Sequence, residues 1–301
     1  MPVDPASRSE SNPISSSGTG PYLPTGECAA LASLLEVMAP KPGNVHRGAD
    51  FEDLYLQDFA ASALRIAPAM EQAGEIGVGP AIFQAIRDTR TLVNTNTNLG
   101  IVLLIAPLAA VPRQLPLATG IREVLRRLNS EDARLVYDAI RLASSGALGE
   151  VPEMDVAGSP PTDLIEAMRL ARDRDLIARQ YVEDFSLVLQ HVGPWILEPV
   201  CQGFSLTQSI VHAFLTLMAH HPDSLIARKG GRREAQEASD RAAEVLEQGE
   251  PGEESYHEAL AELDFWLRSA GSRRNPGTSA DLIAAGLFSL LRDGLLTPPF
   301  R

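Results

Sequence analysis

Four short segments gather residue types that bind phosphate or move protons. Pro40 to Gly48 crowds Lys41, Asn44, His46 and Arg47 into a backbone made irregular by Pro40, Pro42, Gly43 and Gly48. Such a loop presents amides and cations to an anion. Asn94 to Gly100 stacks Asn96, Thr97 and Asn98 ahead of the apolar run that starts at Leu99. One capping residue suffices for a helix, so the surplus points to groups aimed at a ligand, at a helix end that favours anions. Pro222 to Gly231 sets Asp223 beside Arg228 and Lys229. Arg grips a phosphate bidentately, Lys acts as a point charge, and Gly230 and Gly231 let the backbone approach closely. Asn275 to Leu282 makes a sharp turn before a helix, with Gly277, Thr278, Ser279 and Asp281 at its start.

Each segment also reads as helix punctuation. The Lys41 loop is a helix-ending turn on that reading, and Arg228 and Lys229 oppose a helix dipole ahead of a glycine cap. Thr278 to Asp281 resembles a capping box, which by itself explains Asp281. Acids cluster twice more, at Asp50, Glu52 and Asp53 and at Glu150, Glu153 and Asp155. Mg²⁺ on a polyphosphate uses only one or two protein carboxylates. No HExxH, GxSxG, Walker A or GxGxxG pattern stands in a suitable context, and His212 and His220 read as packed helix residues.

The elements that must position these loops are helices. Apolar residues recur at helical spacing over 26–39, 55–73, 79–93, 97–111, 130–145, 203–220, 257–269 and 279–292. Pro68 is expected to kink or break the second of these. Strand and hairpin signals are nearly absent. The charged run from Arg228 to Glu250 reads as an exposed helix, and the Gly- and Pro-containing loop 146–161 as a joint between two halves of a bundle. The expectation is an all-α chain: one multi-helix, bundle-like domain over 26–301 behind a disordered tail at 1–25 that is rich in Ser, Pro and Gly.

Of 301 residues, 39 are acidic and 26 basic, giving a net charge of −13. That balance opposes nucleic-acid binding and attraction to an anionic membrane, but not a small phosphorylated ligand in a local cationic pocket. Only two of the bases are lysines, Lys41 and Lys229, and both fall in the loops above. No stretch reads as a transmembrane span or signal peptide. Cys28 and Cys201 make no disulfide framework, and a cytoplasmic location is expected.

Read in order, the segments resemble the triphosphoribosyl-dephospho-coenzyme A synthase family. The carriers are Pro40-Lys41-Pro42-Gly43, Asp53-Leu54 ahead of Phe59-Ala60-Ala61-Ser62, Asn96 to Gly100, Asp223 to Gly231 and Pro276 to Leu282. The resemblance spans residues 27–295 and implies an all-helical enzyme that joins ATP to 3′-dephospho-coenzyme A. The acceptor ribose 2′-hydroxyl displaces adenine from C1′ of ATP. It implies catalytic carboxylates at Asp53, Asp223 and Asp281, and Mg²⁺, accompanying ATP, on Asp53, Asp155 or Asp223. It implies a phosphate and substrate set of Lys41, Gly43, Asn44, His46, Arg47, Asn96, Thr97, Asn98, Gly100, Arg228, Lys229, Gly277, Thr278 and Ser279.

The sequence departs from family members that serve citrate lyase. Asn98-Leu99 stands where they carry a His-Lys or His-Arg pair, and Asp50 to Leu54 replaces a His-x-Asp-Met segment. Asp173 to Tyr181 looks like a divergent, archaeal-type branch. That leaves two alternatives: a transferase acting on another phosphorylated acceptor, as in synthesis of a methanopterin-type carrier, or a non-enzymatic helical scaffold. The enzyme readings require all four segments to meet in one pocket. The oligomeric state is not legible in the sequence.

Overall fold

The computed structural model describes residues 23–50, 55–144 and 162–300. The described residues are helical and contain no strand, only one isolated bridge between His46 and Ala49. The first seven α-helices are α1 (Thr25–Met38), α2 (Leu56–Ile76), α3 (Val78–Arg90), α4 (Leu99–Ala109), α5 (Leu117–Arg126), α6 (Ser130–Ser144) and α7 (Leu164–Ala171). They are followed by α8 (Leu176–Val182), α9 (Gly193–Cys201), α10 (Leu206–His220), α11 (Ser224–Gly230), α12 (Arg232–Glu247), α13 (Glu254–Arg268) and α14 (Gly277–Arg292). A π-helical turn at Val188–Val192 leads into α9, and a 3₁₀ turn at Gly271–Arg274 precedes α14.

Two helices are apolar all round, and both are central. In α14 almost every residue from Thr278 to Arg292 is buried, and in α4 every residue from Ile101 to Ala109. A helix without a polar face has to be enclosed by others. α14 packs against α1, α4, α9, α10 and α11, and α4 also touches α2 and α3. The outer helices bury one stripe each: α12 buries Ala235, Ala238, Ala242 and Val245 and turns its charges outward. These faces join one connected core.

Two expectations change. α2 runs unbroken through Pro68, which sits on an exposed face. The charged run from Arg228 is two helices, because Gly231 at φ 93° ends α11 and opens α12. α1 starts at Thr25; the remaining tail (1–22) and the loop 146–161 lie outside the described residues. His212 packs half-buried against Tyr256, whereas His220 is exposed and stacks on Trp195.

Candidate active site

The loop after α1 folds its lysine inward. Lys41 has no solvent exposure. Its Nζ lies 2.9 Å from Glu36 Oε1 and 3.3 Å from the Ala39 carbonyl, and it also donates to the Glu36 carbonyl. An ammonium has three protons, and all three are engaged. The exposed phosphate handle expected at Lys41 is therefore corrected to a buried ion pair. Gly43, at φ 72°, donates its amide to Asp264 Oδ1 at 2.7 Å. A Cβ there would sit 2.8 Å from that of Leu267. Asn44 Nδ2 donates to Asn275 Oδ1 at 2.6 Å, leaving Asn44 Oδ1 buried without a partner. Arg268 bonds both Asp264 and the Asn44 carbonyl. The loop is thus pinned to α13 and to the turn before α14. Half-buried His46 is held below the usual histidine range by burial and by Arg268, and Arg47 is exposed.

The Asn-Thr segment is pinned in the same way. Asn96 Oδ1 accepts the Leu99 amide at 3.1 Å and caps α4. Thr97 Oγ1 lies 2.5 Å from Ser62 Oγ on α2, and Asn98 Nδ2 donates to Thr89 Oγ1 on α3 at 3.1 Å. Much of the apparent surplus therefore fixes the position of the α4 N-terminus rather than standing open. Thr95 Oγ1 is buried and unpartnered.

Asp223 joins two helices. Its Oδ1 accepts the Leu225 and Ile226 amides at 2.8 and 3.0 Å, capping α11. Its Oδ2 accepts the Ser279 amide at 2.7 Å and the Ser279 hydroxyl at 2.8 Å. Burial lifts its pKa above the ordinary carboxylate range against the pull of those bonds. With both oxygens engaged, it is built to fix α11 against α14. Lys229 is exposed, its Nζ 3.4 Å from the Ser272 carbonyl.

Asp281 differs. The expected capping box is absent: α14 begins at Gly277 after Pro276, and no side chain caps it. Thr278 is already inside the helix and Asp281 lies one turn in. Asp281 receives no hydrogen bond from any described residue. Burial raises its pKa well above the carboxylate range; Glu36, Asp223 and Asp175 push the same way, and Arg228 pulls back. Gly100, in the first turn of α4, makes room for it. A Cβ on Gly100 would stand 1.9 Å from Asp281 Oδ2 and 3.0 Å from Ile177 Cδ1. Replacing Gly100 with Ala should leave the helix intact yet displace the carboxyl. A shift of that size costs about 100-fold when the group does chemistry. Catalytic turnover and the thermal midpoint, measured side by side, check this: turnover should collapse while the midpoint holds.

The four segments therefore meet around the first turns of α14 and α4. Asp53 and Asp155 lie outside the described residues. Among the described residues no three His, Cys, Asp or Glu side chains are placed to hold a metal. Asp223, the described member of the expected metal set, has both oxygens occupied. The described residues thus build no protein cage for Mg²⁺. Sequence reasoning missed Glu36, Asp175 and Asp264. Glu36 and Asp264 act across a turn or on another segment, and Asp175 shows locally only as the N-cap of α8, accepting the Ile177 and Ala178 amides at 2.8 and 3.2 Å.

Fold and site together define an all-helical protein in which Glu36, Asp223 and Asp281 gather where two buried helices begin, with the exposed cations Arg228 and Lys229 on the neighbouring α11. Comparison with known proteins narrows this. Two Vibrio cholerae serotype O1 proteins (strains M66-2 and El Tor Inaba N16961) are 26% identical over 295 residues, covering 90% of each chain. Each is described as a probable 2-(5''-triphosphoribosyl)-3'-dephosphocoenzyme-A synthase. A crystal structure described as that of a "putative triphosphoribosyl-dephospho-coA synthase" from Archaeoglobus fulgidus matches with a TM-score of 0.59 and 26% identity, over 78% of this chain and 98% of that one. Residues 24–297 match the CitG family, ATP:dephospho-CoA triphosphoribosyl transferase, and the chain belongs to that family. It is a transferase rather than a scaffold, and the family's substrates are ATP and dephospho-CoA. No described helix is long and apolar enough to cross a membrane.

Proposed function

We propose that Asp281 is the proton donor to the departing adenine, and that ATP lies across the N-termini of α4 and α14. The observation that carries this is the state of Asp281: without a hydrogen-bond donor among the described residues, half-buried beside Gly100, and crowded by other carboxylates. Those conditions keep a proton on a carboxyl group. Breaking the C1′–N9 bond passes through an oxocarbenium-like state, as in glycoside hydrolysis. A proton delivered to the purine makes adenine a better leaving group. The acceptor 2′-hydroxyl must lose its own proton as it bonds C1′. We assign that proton to Asp175, which lines the adjoining cavity and acts electrostatically on Asp281.

The triphosphate is not cleaved, so it serves as a handle. Exposed Arg47, Arg228 and Lys229 and the α4 N-terminus supply the attraction. Gly277 and Thr278 open the first turn of α14. Mg²⁺ that arrives with ATP needs only one or two carboxylates. Dephospho-CoA, the family's acceptor, is taken as the acceptor here. The test is adenine release from ATP, followed by chromatography, with and without dephospho-CoA. Release is expected only when both are present, with a product heavier than dephospho-CoA by one triphosphoribosyl group. Folded protein that binds ATP but releases no adenine would overturn the acceptor assignment.

A further inference from the structure

A cavity of about 1040 Å³ opens between α7, α8, α11 and α12. It adjoins the site just described, because Asp175, Ile177 and Arg228 line it. Ile177 also packs beside Gly100, and Arg228 and Asp175 act electrostatically on Asp281. Its lining includes the apolar side chains of Leu103, Ile140, Leu164, Met168 and Ile177. Arg174, Arg179, Arg228 and Arg232 line it too, together with Asp163, Glu166, Asp173 and Asp175. Small-molecule sites usually measure about 300–1,000 Å³, so this one is at the upper limit and exceeds the needs of a single base or phosphate group.

The shape of the reaction separates the two substrates. ATP has no aliphatic arm, and the start of α4 suits its triphosphate. Dephospho-CoA carries a diphosphate and a long pantetheine arm whose methylenes and gem-dimethyl group have no counterpart in ATP. A cavity lined by both aliphatic side chains and arginines can take that combination. A second cavity, of about 580 Å³, is lined by Ser289, Leu290 and Asp293. These residues lie two turns or more along α14 from Asp281, and the lining of that cavity includes neither Asp175 nor Arg228.

We propose that the cavity between α7, α8, α11 and α12 is the acceptor site, taking the pantetheine arm of dephospho-CoA on its apolar side chains and the diphosphate on its arginines. The proposal rests on the transferase reading for the identity of the acceptor. It places the acceptor ribose at the rim marked by Asp175 and Arg228, beside Asp281.

The test is calorimetric titration of dephospho-CoA, and separately of ATP, into wild type, Ala167→Trp and Arg232→Glu. Ala167 lines the cavity on α7, where an indole would fill the arm's space. Arg232 is an exposed lining residue on α12, so its reversal does not threaten the core. Both folded variants should bind dephospho-CoA at least about tenfold more weakly while ATP affinity stays within about twofold. Unchanged dephospho-CoA affinity in either folded variant, an equal loss for ATP, or no dephospho-CoA binding by wild type overturns the proposal. If wild type binds dephospho-CoA but releases no adenine, the transferase reading fails while the cavity is still decided by these titrations.

Discussion

Asp281→Asn should lower adenine release by about 10²- to 10⁴-fold, the usual range for losing a positioned acid. ATP binding should change little. The amide is nearly the same size but has no proton to give. The pH profile carries the sharper expectation. The acid must be protonated to act, and its pKa is raised well above the ordinary carboxylate range by burial, Glu36, Asp223 and Asp175. Wild-type turnover should therefore fall as pH rises through the Asp281 pKa, and residual turnover in the variant should lack that alkaline fall. Stability supplies an independent sign. A carboxyl whose folded pKa is raised costs nothing in acid but weakens the fold as pH rises and forces it to ionise. Asn mimics the protonated form, so the thermal midpoint of the variant should match wild type at acid pH and exceed it at alkaline pH. A variant that loses turnover and also melts earlier at every pH would show Asp281 to be structural.

How far the sequence disclosed this site can be judged residue by residue. The helices were readable because periodicity is a local signal: α10 and α14 lie close to the spans their apolar spacing marks. The clustering of Asn96 to Gly100 and Asn275 to Leu282 was visible as an excess of polar residues where a single cap would do. What those residues bond to was not visible. Thr97 meets Ser62, Asn44 meets Asn275, and Asp223 meets Ser279 across long stretches of chain. Asp281 has the residue type and spacing of a capping acid. Only the start of α14 at Gly277, two residues earlier than a cap at Thr278 allows, moves it beyond the first turn, beside Gly100. The shorter elements α7 and α8 carry too few apolar residues for a periodic signal, so Asp175 and the cavity beside it went unseen.

Lys41 was the most conspicuous cation in the sequence, and its expected effect is on the fold first and the chemistry second. Lys41→Met leaves the Glu36 carboxylate buried without its counter-ion. Breaking a buried pair by removing one partner costs about 3–5 kcal/mol. For a chain of this size that corresponds to a fall in Tm of roughly 6–20 °C, read by calorimetry. Glu36→Gln combined with Lys41→Met removes both charges and should recover most of the loss, because the penalty arises from the stranded charge rather than from the missing attraction. Lys41→Arg should not substitute freely, since a planar guanidinium must fit where a compact ammonium is fully enclosed. The double variant also reports on the site. Glu36 is among the charges that raise the Asp281 pKa, so neutralising it should move the alkaline fall in turnover to lower pH. A recovered fold with an unmoved pH profile would separate the ion pair from the chemistry. A recovered fold with a shifted profile would make Glu36 and Lys41 the buried setting that positions the proton on Asp281.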